Sequence, residues 1–458
     1  MSVACLHGAD HAESSRRGSV LVIVLWVAFG LVSVALYFAQ SMTLELKAAD
    51  NRAAGMEAEQ AIEGAARYAA KLLSTLETPG KLPDPSAYER EMVPVGDAEF
   101  WFLGRSDQQV KSVAPFFALV DESSKLNLNT ATAAMLEALP RMTPELAASI
   151  IDWRDADSDA TQNGAESDFY LRRSPAYNAK NAKFESIDEL RLIQGADMEI
   201  LLGEDTNQNG VLDANENDGN LSAPYDNKDG KLDPGILEFV TVHSRESNLR
   251  TNGSPRINIR QGGQQVIQQL GALLREKLSA DRANAVIRGL GPAGAGFTSA
   301  IEFFIRSRMT TDEFALVASD ITTTNGNVIE GLINVNTASQ EVLACIPGIG
   351  TDKAPSLVSY RISNPDKLTS VAWIVEVLGQ QSAIQAGPYI TGRSAVFSAD
   401  IAAVGHHGRG YRRARFIFDL TEGSPRVVYR QDLGHLGWAM GWDARQEVNL
   451  LAERGRNR

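Results

Sequence analysis

An uncharged run from Ser19 to Leu44 follows directly on Arg16-Arg17-Gly18. Its core, Val20 to Ala39, is about 20 residues, or roughly 30 Å as a helix, which matches the hydrocarbon thickness of a bilayer. Ile23 and Trp26 lie inside this stretch. A removable secretory signal carries its small-residue cut site after the apolar region. Here the small residue and the positive charges lie before it, so the natural cut falls between Gly18 and Ser19 and leaves the apolar helix on the mature protein. An uncleaved single-span anchor shares the pattern. In both cases Arg16 and Arg17 keep the leader in the cytoplasm, and everything after Ala39 lies outside.

Helical patterning continues past the membrane. From Met42 to Leu76 the chain is rich in Ala, Glu, Leu and Lys, with Leu44, Ala48, Met56, Ile62, Ala66, Ala69 and Leu73 at helical spacing. Thr78-Pro79-Gly80 ends it. A single helix from Ser19 to about Leu76 needs a surface under its second half. Alternating segments that could supply one are Glu99–Arg105 and Phe116–Asn129 near the front, and Ala395–Val404, Tyr411–Leu420 and Arg426–Leu433 near the end. In the second of these late segments Arg413, Arg415 and Ile417 alternate with Ala414, Phe416 and Phe418, which reads as a half-exposed strand with its arginines in solvent.

Between the two sets the chain repeats itself. Leu126-Asn-Leu-Asn-Thr-Ala, Ile257-Asn-Ile-Arg and Ile333-Asn-Val-Asn-Thr-Ala each open a helix–turn–helix stretch. Phe184-Glu-Ser, Phe297-Thr-Ser and Leu368-Thr-Ser begin a trailing segment in each. In the third copy, Pro347-Gly-Ile-Gly between helices is similar to a helix-hairpin-helix, a unit that can hold phosphates on turn amides. Asp352 sits where a phosphate would lie and only Lys353 is near to attract it, so a packing role is expected.

The net charge is -13 over 458 residues. An acidic body has no long-range attraction for nucleic acid. The length implies two or three domains. The two cysteines, Cys5 and Cys345, lie on either side of the expected cut, so disulfides do not hold the fold together. No nucleophile elbow or His-Glu-x-x-His pattern occurs, and an enzyme is not expected.

Asp205 to Glu216 fits a twelve-residue calcium loop at every ligand position. Asp205, Asn207 and Asn209 supply oxygens, Gly210 allows the turn, and Val211 offers its carbonyl. Asp213 acts directly or through water, and Glu216 closes the shell. A second loop through Asn227, Asp229, Lys231 and Asp233 keeps only the middle of the pattern. It has Tyr225 and Ile236 at its ends, with Asp226 or Glu238 as compensating ligands. The acidic group Asp152, Asp155, Asp157, Asp159, Glu166 and Asp168 lacks regular spacing and reads as a solvated loop. Calcium is therefore expected as a structural ion.

Several stretches together resemble the general secretion pathway protein K family, minor pseudopilins of type II secretion systems. They are the Arg-Arg-Gly junction, Asp121 to Ala131, Ile151 to Asp157, Gly164 to Tyr170, Pro175 to Asn181 and Phe184 to Arg191. The resemblance implies an α+β pseudopilin fold, a long N-terminal helix on a small antiparallel sheet, with a large inserted helical domain. On that scheme 1–18 is a prepilin leader and 19–78 the N-terminal helix. Residues 98–129 and 393–440 form the sheet, 130–392 the insert and 441–458 a tail. It also implies cleavage and N-methylation by prepilin peptidase, calcium in the insert, an inner-membrane anchor with a periplasmic body, and minor pseudopilins I and J as partners among the type II secretion components. The segment 237–309 is longer than the family pattern. The rival reading is a membrane-anchored helix-hairpin-helix DNA receptor.

Overall fold

The computed structural model describes residues 14–76, 80–105, 115–290 and 296–456. The leader up to residue 13 lies outside the described residues. Helix α1 runs from Ser14 to Ser74 without a break, about 90 Å at 1.5 Å per residue. Its most apolar stretch is uncovered by the rest of the protein, and Val20, Ile23, Trp26 and Ala39 are all exposed.

The second half of α1 buries Ala54, Ala58, Ala61, Ile62, Ala65, Ala66, Ala69 and Leu73. Leu44, Ala48 and Met56, expected on that face, stay exposed; the buried stripe begins at Ala54, and Met56 lies off it. Small side chains dominate the stripe because backbone approaches backbone there. A Cβ on Gly405 would stand 2.1 Å from the Ala54 carbonyl oxygen, and one on Gly410 (φ +68°) 2.3 Å from the Gly55 nitrogen.

The sheet is antiparallel. Its strands are β1 (Val93–Val95), β2 (Ala98–Leu103), β3 (Val120–Asp121), β4 (Val396–Gly405), β5 (Arg409–Asp419) and β6 (Arg426–Asp432). The order is β1-β2-β4-β5-β6, with β3 added on β4. Side chains alternate across the pleat: Phe100, Phe102, Phe397, Ile401, Phe416 and Phe418 pack against α1. Trp101, Leu103, Ala402 and Val404 form a separate core on the opposite face with Met440 and Val448. Those last two belong to the expected tail and its approach. Residues Gly441–Arg456 form a helix whose Val448 packs into that second core.

Everything between β3 and β4 gathers around one core, from Leu126 to Ile390. The insert therefore begins a few residues before 130. Its internal symmetry is deeper than the three opening segments suggest. Each opening Leu/Ile-Asn pairs in parallel with a closing two-residue strand, Leu126–Asn127 with Val240–Thr241, Ile257–Asn258 with Ile321–Thr322, and Ile333–Asn334 with Ile390–Thr391. In each copy the Asn amide donates to the side chain three residues after the closing Thr: Ser244 Oγ at 3.0 Å, Asn325 Oδ1 at 2.7 Å and Ser394 Oγ at 2.9 Å. Arg154 and Arg361, at equivalent places in the first and third copies, each donate to two carbonyls of the opening turn, Leu128 and Ala131 in one, Val335 and Ala338 in the other.

The junction rests on Asp121 and Glu122. Asp121 Oδ2 accepts from Asn334 Nδ2 (2.9 Å) and Thr337 Oγ1 (2.6 Å), reaching the third repeat. Glu122 accepts from Thr241 and Ser398, tying the first repeat's closing strand to β4. The sequence-level expectation of an α+β protein with a long helix, a small sheet and a large helical insert describes this architecture.

Candidate metal centres and the sheet–insert seam

The loop Asp205–Glu216 follows a helix over Met198–Leu202 and is folded by its own side chains. Asp205 is 2% exposed and accepts from the amides of Asn209 and Gly210, both at 2.9 Å. Asn207 Oδ1 accepts from the Asn209 amide and Asn209 Oδ1 from that of Val211. Gly210 takes φ +69°, a conformation that favours glycine. Glu216 accepts from the amides of Thr206 and Asp213, and Asp213 takes the Asn207 and Asn209 amide groups. Burial, with Asp205 and Asp213 alongside, pushes the Glu216 carboxyl up to about 9. Burial raises Asp205 too, although Arg105 opposes it. Three carboxylates and two amides around one turn, with negative charge left over, suit a hard divalent cation.

The loop is also clamped from outside. Arg413, on β5, is 1% exposed and pairs with Asp400 on β4 at 2.8 Å. It also donates to the carbonyls of Asn207 (2.5 Å) and Gln208 (2.7 Å). Arg105, just past β2, pairs with Glu238 at 2.6 Å and donates to the Gln208 and Asn209 carbonyls. The alternation of Arg413 and Arg415 is as expected, but their face is not solvated. The insert lies on it, and the arginines neutralise Asp400 and Glu238 inside the seam. Burial raises the Asp400 carboxyl, but Arg413 and Arg415 outweigh it and hold the group well below the usual carboxylate range.

The second loop is not brought together in the same way. Asn227 and Asp229 make the expected turns, accepting from the amides of Asp229 and Lys231, yet Asn227, Asp229 and Lys231 are exposed. Asp233 faces Arg141 at 2.7 Å. The two compensating residues are engaged elsewhere: Asp226 accepts from the Asp218, Gly219 and Lys228 amides, and Glu238 holds Arg105.

The irregular acidic group does converge, which spacing did not reveal. Ligand oxygens of Asp155, Asp157 and Glu166 lie within 4.8 Å of one another. Helix Pro144–Arg154, capped by Thr143, presents buried Asp152 and ends at Asp155. The loop then returns tightly enough that a Cβ on Gly164 would fall 2.0 Å from Asp152 Oδ2. Asp155 Oδ1, Glu166 Oε1 and Asn181 Oδ1 are buried without a hydrogen-bond partner among the described residues. Burial, then neighbouring acids, raises both Asp155 and Glu166. Buried acceptors without donors need a partner, which a bound cation or an ordered water would supply. The signal available in the sequence was Gly164-Ala-Glu166 following Asp155-x-Asp157 by a short loop.

The hairpin of the third repeat is closed to phosphates. Gly348 (φ +85°) sits under residues 380–386, where a Cβ would meet the Ser382 carbonyl oxygen at 2.5 Å. Lys353 donates to Ser382. The turn packs on its own protein, as expected.

Residues 118–202, which contain the acidic centre and the Asp121–Glu122 junction, match the family model described as "Type II secretion system (T2SS), protein K". A curated relative, "Type II secretion system protein K" of Klebsiella pneumoniae, is 38% identical over 58 residues. That match spans 13% of this chain and 18% of the relative's length. A solved structure, the GspK-GspI-GspJ complex from the enterotoxigenic Escherichia coli type 2 secretion system, contains a chain similar at 12% identity and a TM-score of 0.40. The similarity covers 82% of this chain and 96% of that one. The resemblance read from the sequence is borne out by the family model and the curated relative.

Proposed function

We propose that this chain, a relative of type II secretion system protein K, is a minor pseudopilin that initiates or caps the pseudopilus and acts without catalysing a reaction. The observation that carries the reading is a 61-residue helix, bare over its apolar half, bearing a small sheet and an insert whose first part lies in the family-matched residues 118–202. After cleavage between Gly18 and Ser19, Ile23 would be the fifth mature residue, where most pilin-like subunits have a glutamate. A carboxylate there pairs with a neighbour's N-terminal amine and offsets the cost of charge in lipid. Ile23 cannot do so toward a subunit already in the filament. The insert adds bulk: a body of its length has a radius of gyration of about 18 Å, against about 8–10 Å between packed helices. Such a head fits at the end of a helical bundle and clashes along its length.

On this reading the body lies in the periplasm and minor pseudopilins I and J are its partners. Prepilin peptidase trims and methylates Ser19, and calcium occupies the Asp205–Glu216 loop and the Asp155–Asp157–Glu166 centre. Calcium there would neutralise buried acids and stiffen loops that have little core of their own. The test is a deletion strain complemented with the tagged chain. Restored export, with I and J recovered alongside it from detergent extracts, supports the proposal. Normal export in the deletion strain contradicts it.

A further inference from the structure

A cavity of about 120 Å³ opens at the seam between the second and third repeats. The charged side chains lining it are Arg256, Arg393 and Glu246. Glu246 is already satisfied, by Arg256 Nη1 at 2.9 Å on one oxygen and Thr391 Oγ1 at 3.0 Å on the other. Arg256 is not: its side chain is 9% exposed, and its Nε is buried with no hydrogen-bond partner. A buried N–H without an acceptor is costly.

Arg393 adds a second guanidinium with no ion pair or side-chain hydrogen bond among the described residues. The residue is exposed, but its backbone is held in place. Its stem lies over Gly80, whose Cβ would come 3.2 Å from that of Arg393. Its amide donates to Thr391 Oγ1 and the next amide to the Gly80 carbonyl. The nearby Arg250 and Asp320 face each other at 3.6 Å and cancel. The helix Ala300–Ser307 begins at the same wall, with Ser299 and Ala300 in the lining.

We infer that this cavity binds one small oxyanion, held between Arg256 and Arg393. The reasoning is an excess of one positive charge, an Arg393 guanidinium without a side-chain partner among the described residues, and room for a group of phosphate size. One water needs roughly 10–15 Å³ of such space, so the cavity admits an anion of phosphate size with several waters. Guanidinium donors favour oxyanions over halides. The same chemistry could come from free phosphate or from a carboxylate of another protein.

The test uses the full chain in detergent, titrated with inorganic phosphate or acetate against chloride at constant ionic strength, read by calorimetry and by melting temperature. Wild type is expected to bind phosphate with a Kd of about 1 mM or tighter, near 4 kcal/mol, and Arg393→Gln to bind it at least tenfold more weakly. Because the Arg393 side chain holds no other residue, that variant should melt like wild type without phosphate. Phosphate binding without acetate binding identifies a free tetrahedral anion; binding of both identifies a carboxylate-compatible site. No binding of either by wild type, or equal binding by Arg393→Gln, overturns the inference.

Discussion

Replacing Arg413 with Met should loosen the seam between insert and sheet while leaving both bodies folded. The guanidinium is fully enclosed, bonded to Asp400 and to two carbonyls of the Asp205–Glu216 loop. Removing one partner of a buried ion pair costs about 3–5 kcal/mol. Arg415 still reaches Asp400 at 2.9 Å and Arg105 still caps Gln208, so the lower figure applies. A loss of about 3 kcal/mol corresponds to about 150-fold in an opening equilibrium. Amide exchange measured by mass spectrometry should therefore speed up by about that factor in 205–216 and at the β4–β5 edge. The third repeat, around 333–391, should keep its protection. Arg413→Lys keeps the charge but not the fork, and should fall between. Acceleration under fivefold in the loop, or equal acceleration everywhere, would refute the clamp.

Chelation should lower the melting temperature of the detergent-solubilised chain, and Glu166→Gln should shrink that drop; an unchanged curve in wild type argues against structural calcium. The acid limb offers a separate check through Glu122. Burial would raise its pKa, but Lys125 and the Thr241 and Ser398 hydroxyls hold it down at about 2, against an ordinary value of 4.5. Its folded value is depressed, so its stabilisation is complete above the unfolded pKa and is lost as pH falls through about 2. The melting-temperature gap between wild type and Glu122→Gln should then close between about pH 4.5 and 2. A gap constant over that window would contradict the assignment. Gly405→Val should separate the β4–β5 hairpin from α1, since any Cβ there collides with the Ala54 carbonyl. A cysteine crosslink between α1 and the hairpin should form more slowly in that variant, and equal rates would rule the contact out.

Periodicity carried the long elements. Helix α1 and strands β2, β4 and β5 lie close to where alternation and helical spacing put them, because each buries a continuous apolar face; β6 also lies near its expected place although none of its residues is buried. Patterns could not say what covers the other face. Arg413 alternates like a solvent-facing residue, and only the fold brings Asn207 and Gln208, some two hundred positions away, over it. The closing strands Val240–Thr241, Ile321–Thr322 and Ile390–Thr391 are too short for any period to mark. The regular loop Asp205–Glu216 is local, so its geometry was legible; Asp155, Asp157, Glu166 and Asn181 meet through a tertiary turn and show no ligand spacing. Gly441–Arg456 is polar enough to pass for a tail, yet Val448 and Met440 fasten its start to Trp101 and Val404.

The most direct test is where this chain sits on assembled fibres. Pseudopili purified with a small tag on its C-terminus should carry label at one end only, and the N-terminal peptide recovered from them should begin at a methylated Ser19. Label spaced along the shaft, or Met1 still attached in assembled material, would contradict the account.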